Sequence, residues 1–369
     1  MLGAMTGQGA RAQVVLPCEP LDATLAFFCE RLAFRVAAVF PADAPRVVEL
    51  VGHGLELRLE RGASGSAGSL RLVCADPHAL GRGETTLVAP NGTRVELVPA
   101  DPPLELPRLA AERVLCRAAD AEWGTGRAGM LYRDLIPGRQ GGRFIASHIR
   151  IPQGGPVPDY EHYHRVRFQL IYARRGWVRV VYEDQGPPFV MHAGDCVLQP
   201  PQIRHRVLES SPGLEVIELG CPAEHETRAD LELALPNPAV QRERVFGGQR
   251  FVHHRAADAA WKPWRISGFE ARDTGIAAAT GGLASVQVAR SAGPAEPEPF
   301  EHGAELLFWF VLAGRLALRC EDEPRLELAA DDALTLPAGA QYALVAASDD
   351  LELLEVALPP LSAPLRSPS

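Results

Sequence analysis

The chain has 369 residues, with 37 Lys plus Arg against 46 Asp plus Glu and a net charge of −9 at pH 7. That acidic balance, without any run of basic residues, excludes nucleic acid as the main partner, because phosphate neutralisation needs a concentrated basic face. The length predicts two or three domains, and 47% hydrophobic residues with 34 Gly and 32 Pro describe a globular chain rich in turns.

Residues 1–10 are expected to be a tail. The opening MLGAMTGQGARAQ has neither the charged start nor the apolar stretch of a secretion signal, and no later segment has the roughly 18 apolar residues of a membrane span. A cytoplasmic location without a membrane partner is expected. The seven cysteines are scattered and include no Cys-x-x-Cys, so they are expected to be reduced structural thiols.

From Gln13 the pattern predicts a strand to Leu16, an amphipathic helix from Leu21 to Phe34, and strands near Val36–Phe40, Arg46–Val51 and Leu55–Leu59. Further strands should flank Asn91-Gly92, a strong hairpin pair. The order strand, helix, three strands, with LDATLAFFCERLAFRV and APNGTRVELV, resembles the vicinal-oxygen-chelate (glyoxalase-like) family over about residues 11 to 100. The resemblance implies a smaller α+β domain at 11–105 and, in active members, a metal on His and Glu. Here no His follows Leu16-Pro17-Cys18, and only Glu56 and Glu96 fall near the family's ligand positions. Two carboxylates without imidazole make a poor transition-metal site, so binding, packing or dimerisation is the expected role.

Two proline-rich stretches, at 99–108 and 234–240, are expected to be hinges, since Pro neither continues a helix nor donates within a central strand. They bound domains at 106–235 and 236–360, with a tail at 361–369. The two domains repeat each other. RAADAEW at 117–123 matches RAADAAW at 255–261, Gly176 matches Gly314, and Pro200 matches Pro337, at offsets of 138, 138 and 137. Between these landmarks short Val/Leu/Ile-rich runs alternate with turn residues and show no helical period, the rhythm of antiparallel sandwiches or barrels.

The first repeat contains GGPVPDYEHYHRVRFQL and, later, HAGDCVLQPPQIRH. His162 and His164 share one face of a strand, and His205 follows in a neighbouring hairpin. Three imidazoles so placed can form one side of a metal site with open positions for substrate. Gly155, His162, His164, Gln169, Gly176, Gly194, Pro200 and His205 resemble both motifs of the cupin superfamily, and the duplication, over about residues 110 to 358, resembles a bicupin. The resemblance implies a mainly β protein with two tandem cupin jelly-roll barrels behind the α+β domain. It also implies one divalent first-row metal ion (Fe, Mn, Ni or Zn) on His162, His164 and His205, with Gln169 where most of the family has Glu. An amide cannot act as a base; Glu161 and Tyr160, just before the ligand strand, are the expected catalytic substitutes.

In the second repeat Phe300, Leu307 and Tyr342 stand at the positions of His162, Gln169 and His205, and His302 alone matches His164. One imidazole does not hold such a metal, so this barrel is expected to be structural or an apolar pocket. His253 and His254 are expected at a partly exposed strand edge, and His148, His192 and His225 have no partner at useful spacing.

The function expected from this resemblance is a metal-dependent dioxygenase acting on a small enolic, aromatic or hydroxy-acid substrate. An oxygen-independent Lewis-acid isomerase or ring-opening enzyme for a sugar acid is the first alternative, and a non-enzymatic small-molecule sensor or scaffold the second. Homodimerisation is the default partner expectation for exposed jelly-roll edges.

Overall fold

The structure, a computed structural model, describes residues 10–126, 129–294, 297–320 and 323–361. The expected tails at 1–10 and 361–369 therefore lie, but for residues 10 and 361, outside the described residues. The chain divides into two units, Met1–Pro103 and Leu104–Ser369. No helix among the described residues is long and apolar enough to cross a membrane.

In the first unit, Val14–Pro17 pairs in parallel with Leu55–Glu60, which continues antiparallel to Val47–Gly52 and Arg35–Phe40. A second sheet holds Ser69–Cys74, Arg94–Pro99 and Thr86–Val88, the last two joined through Asn91-Gly92. The expected helix is shorter than its apolar spacing suggests. It is α-helical only over Leu21–Ala26, widens to a π-helical turn over Phe27–Arg31, and ends at Ala33 with φ +58°. The widened turn keeps Phe28 and Leu32 fully buried and sets Phe34 edge-on to Phe28, with ring centroids 5.5 Å apart.

The second unit contains two barrel-like pairs of sheets. In the first, a seven-stranded sheet runs Val252–His254, Cys196–Leu198, Phe168–Arg175, Leu214–Cys221, Ile145–Ile151, Leu131–Asp134, Gly124–Thr125. It faces a sheet of Phe189–His192, Trp177–Tyr182, His205–Ser210, His162–His164 and Thr227–Ala229. The second barrel repeats this with Ser285–Ser291, Glu352–Leu358 and Leu306–Ala313 at the centre of its large sheet.

The two large sheets pack on each other. Leu170, Tyr172, Leu198, Ile217 and Leu219 from one share a core with Val286, Val288, Phe308, Phe310 and Leu354 from the other. Strands buried on both faces read as near-continuous apolar runs, as LLFWFVLA does and as FQLIYA does apart from Gln169. Each sharp return after these strands needs glycine: Gly176 and Gly314 sit at φ +77° and +71°, where a Cβ would meet Ser211 and Ser348.

The barrels also exchange strands. Val114–Cys116, which precedes the first barrel, pairs with Ala333–Leu336 of the second, and Val252–His254, which precedes the second, pairs with Cys196–Leu198 of the first. The repeated RAADA segments follow these strands as short 3-10 turns. The Ala118 N–H donates to Asp332 and the Ala256 N–H to Asp195, both at 2.8 Å, so each turn is held by the opposite barrel. A boundary at 235/236 consequently does not separate the sheets. The stretch expected to be a second hinge instead lies along the first barrel, where Asn237 accepts from the Asp184 N–H at 2.8 Å and the Leu235 N–H reaches Glu161. One backbone donor and one side-chain acceptor of the stretch are tied to the first barrel, which limits the freedom a hinge needs.

At the edge of the shared core, His148 donates to Glu215 at 3.0 Å, and Arg150 approaches the same carboxylate at 3.1 Å. The hydrogen bond from His148, opposed by burial and aided by the nearby Arg150 and Arg174, holds the Glu215 carboxyl down to about 2. A carboxyl lowered on folding stabilises fully above its ordinary value near 4.5 and loses that contribution as pH falls toward 2. Glu215→Gln is therefore expected to remove roughly 2–3 kcal/mol of the stability difference between pH 6 and pH 2, read from urea unfolding at each pH. An unchanged acid limb would show that other carboxyls dominate it.

Candidate metal centre in the first barrel

His162 and His164 lie two apart on one short strand, so both rings face the barrel interior. His205 opens the neighbouring strand and stands directly across from His162, while Tyr182 stands across from His205 on the other side. One ring nitrogen from each of the three histidines lies within 4.8 Å of the others. The rings of His162 and His205 are 4.3 Å apart between centroids, and Tyr182 stacks on His205 at 5.4 Å.

Each imidazole is oriented from behind. His162 Nδ1 pairs with the Tyr160 carbonyl at 2.8 Å, His205 Nδ1 with the Ile203 carbonyl at 3.1 Å, and His164 Nδ1 with the Thr227 hydroxyl at 2.9 Å. A carbonyl accepts and never donates, so His162 and His205 carry a proton on Nδ1, which in the neutral imidazole leaves the lone pair on Nε2. That tautomer, fixed by a second group, is the one a metal-binding histidine presents. The three residues could hold one divalent first-row ion.

Gln169 is fully inside the barrel but its amide is turned to a carboxylate: Nε2 donates to Glu218 at 2.6 Å. Glu218 lines the cavity in front of the histidines. The sequence reading missed it because it sits on a distant strand, Leu214–Cys221, 49 residues from Gln169. A signal was present. LEVIELG at 214–220 aligns with LELLEVA at 351–357, so both repeats carry Glu inside a buried apolar strand, at 218 and 355. His225 was also passed over; its ring lies 5.3 Å from that of His164.

The two expected catalytic groups lie outside the cavity lining, although the Tyr160 ring stands edge-on to that of His162 at 5.8 Å. Glu161 alternates away from the histidines, and its carboxylate is approached by Arg206 at 3.4 Å and by the Leu235 N–H. Tyr160 has 47% of its surface exposed and serves the site through its carbonyl. Neither side chain is among the described residues that line the cavity.

That cavity has a volume of about 470 Å³. Around its histidine end lie Gln199, whose amide donates to the Tyr182 hydroxyl at 3.0 Å, Thr227, and Asp159, which accepts from the Val207 N–H at 2.9 Å. Burial pushes the Tyr182 phenol up, against the hydrogen bond from Gln199, and the Glu218 carboxylate adds to the rise, so it stays a neutral hydroxyl at physiological pH.

The second barrel keeps the register and not the ligands. Phe300 stands across from Tyr342 as His162 stands across from His205. Phe300, Leu307, Trp309, Leu316, Leu318, Tyr342 and Leu344 fill its interior. Glu355, the counterpart of Glu218, is closed off by Arg265 at 2.5 Å and Trp309 Nε1 at 2.8 Å. In the first unit, Glu56 is approached by Gln13 at 3.4 Å and Glu96 is held by Arg71 at 2.8 Å, on separate sheets. Among the described residues the three histidines form the one metal-capable cluster.

A protein-family model described as the cupin domain matches residues 147–217, a span that contains His162, His164 and His205. The first barrel has a cupin fold. Variants of Bacillus subtilis oxalate decarboxylase are similar to this chain in structure. One shows 11% identity and a TM-score of 0.50 over 70% of this chain and 79% of that one. Another shows 12% identity and a TM-score of 0.50 over 76% and 81%. At such identity the likeness of the cupin is one of fold alone. No curated protein matches the sequence significantly.

Proposed function

We propose that the first cupin barrel is the mononuclear metal centre of an enzyme, a non-haem dioxygenase acting on a small enolic, aromatic or hydroxy-acid substrate. The observation that carries this reading is the convergence of His162, His164 and His205 at one end of a cavity. Fe, Mn, Ni or Zn bound there would supply Lewis acidity and, for the redox-active ions, the electrons that dioxygen chemistry requires.

The chain's own residues supply the rest. The three imidazoles hold the ion from one side and leave the cavity side for substrate. Glu218 faces that space and replaces Glu161 and Tyr160 as the acceptor for an enol or phenol proton, with Gln169 fixing its rotamer. A second reading, Lewis-acid isomerisation or ring opening of a sugar acid, draws support from the same contact. With Glu218 engaged by Gln169 the ion would be held by neutral imidazoles only, which strengthens it as a Lewis acid. The glyoxalase-like reading of the first unit is supported by its order of strand, helix and three strands, with binding, packing or dimerisation as its role.

The deciding experiment loads the protein with Fe(II), Mn(II), Ni(II) or Zn(II) and follows dissolved oxygen as enolic and aromatic acids are added. Oxygen loss stoichiometric with substrate is the expected result for a redox-active ion. Equal turnover without oxygen would select the isomerase, and binding without turnover a sensor or scaffold.

A further inference from the structure

The cavity in front of the histidines is layered, and the layers differ in chemistry. Its first level is polar. His162, His205 and Tyr182 stand in one row across the smaller sheet, and on the facing sheet Glu218 stands across from Ser147. Two residues further along the same strands, a step of about 6.6 Å, the row becomes Val207 and Val180, registered with each other. The facing row becomes Val216 and Ile149. One step deeper stand Val178 beside Met191, and Leu214 across from Ile151. All of these side chains line the same cavity.

Its charge is equally uneven. The described lining contains two carboxylates, Asp159 and Glu218, and neither Lys nor Arg. A dianion or a polyhydroxylated acid could place one oxygen group at the histidine end. Beyond that end its remaining polar groups would meet one hydroxyl, that of Tyr132 across from Ile149, and otherwise hydrocarbon without counter-charge, at a cost the wall offsets little. An apolar body would instead gain from the two deeper levels.

We infer that the first barrel binds an amphiphile: one neutral or singly charged oxygen-bearing head, such as an enol or phenol, carried on an apolar body that fills the valine, isoleucine and methionine levels. The inference rests on the metal reading for its head and on the cavity wall alone for its body. It narrows the substrate class away from sugar acids and small dicarboxylates.

The test uses Zn(II)-loaded full-length protein, which cannot turn over by redox chemistry, and calorimetric titration with four probes: acetylacetone, 1-phenylbutane-1,3-dione, oxalate and galacturonate. The phenyl diketone should bind at least about ten-fold tighter than acetylacetone, whose head is the same, as expected from burying a ring in hydrocarbon. Oxalate and galacturonate should bind no tighter than acetylacetone. Val180→Thr, nearly isosteric, should remove most of the phenyl advantage while leaving acetylacetone within about two-fold, and Val207→Thr repeats the test if the first variant folds poorly. Equal affinity for the two diketones, tightest binding of a dianion, or an undiminished phenyl advantage in the variants would overturn the inference. Zinc content measured on the same samples separates the two readings. Stoichiometric zinc without a phenyl preference sinks the inference and spares the metal centre. Protein without zinc that still binds the phenyl probe, and loses it in Val180→Thr, does the reverse.

Discussion

His205→Ala is expected to lose the bound ion while the barrel stays folded. His205 supplies one of three ligand nitrogens clustered within 4.8 Å, and the two imidazoles left share one strand and reach the ion from a single side. Losing a ligand outright should exceed the effect of losing a supporting contact, so affinity should drop by more than about 100-fold. The fold should persist because His205 lines the cavity wall and lies outside the apolar clusters that hold the barrels together. Truncation there should cost about 1–2 kcal/mol. Elemental analysis of wild type and variant, with urea unfolding of both, checks the two halves separately. A full equivalent of metal in the variant would remove His205 from the site.

In the second barrel the largest effect is expected from Arg265→Ala. Glu355 is 3% exposed, and Arg265 meets both its oxygens, at 2.9 and 2.5 Å. Removing the guanidinium leaves a carboxylate among Trp309, Tyr342 and Leu307 with only the indole N–H to answer it. Stranding a buried charge costs about 3–5 kcal/mol, whereas replacing both partners with apolar groups of similar volume restores most of that loss. Urea unfolding of Arg265→Ala and of Arg265→Met with Glu355→Leu should show a large fall and then a recovery to within about 1–2 kcal/mol, the residue being the acceptor lost by Trp309. A double variant as unstable as the single one would mean the pair packs rather than neutralises.

What could be read in the sequence was local in character. His162 and His164 are two apart, so strand geometry alone puts them on one face, and the repeat offset located Phe300 and Tyr342 as the substituted ligand positions, which the structure places across from one another. Glu218 and His225 were not legible in that way. Their nearness to Gln169 and His164 comes from strand order, which joins residues roughly fifty to sixty apart, and period-two patterning says which face a residue takes without saying which strand lies alongside. The helix beginning at Leu21 failed for another reason. Its apolar spacing fits a regular helix through Phe34, yet the chain widens over Phe27–Arg31 and turns off at Ala33, a change of pitch that apolar spacing does not report.

The strand exchange between the barrels carries its own consequence. Each repeat brings a leading strand that it cannot use and a sheet edge that it cannot cover, together with the aspartate that caps the other's turn. A donor and an acceptor on the same body, each answered by its counterpart, make a self-complementary, two-fold contact. A single repeat would meet that requirement by pairing with a second molecule of itself. The second unit is, in this sense, a homodimer written into one polypeptide, and the fusion frees one half to fill its interior with side chains while the other keeps its cavity.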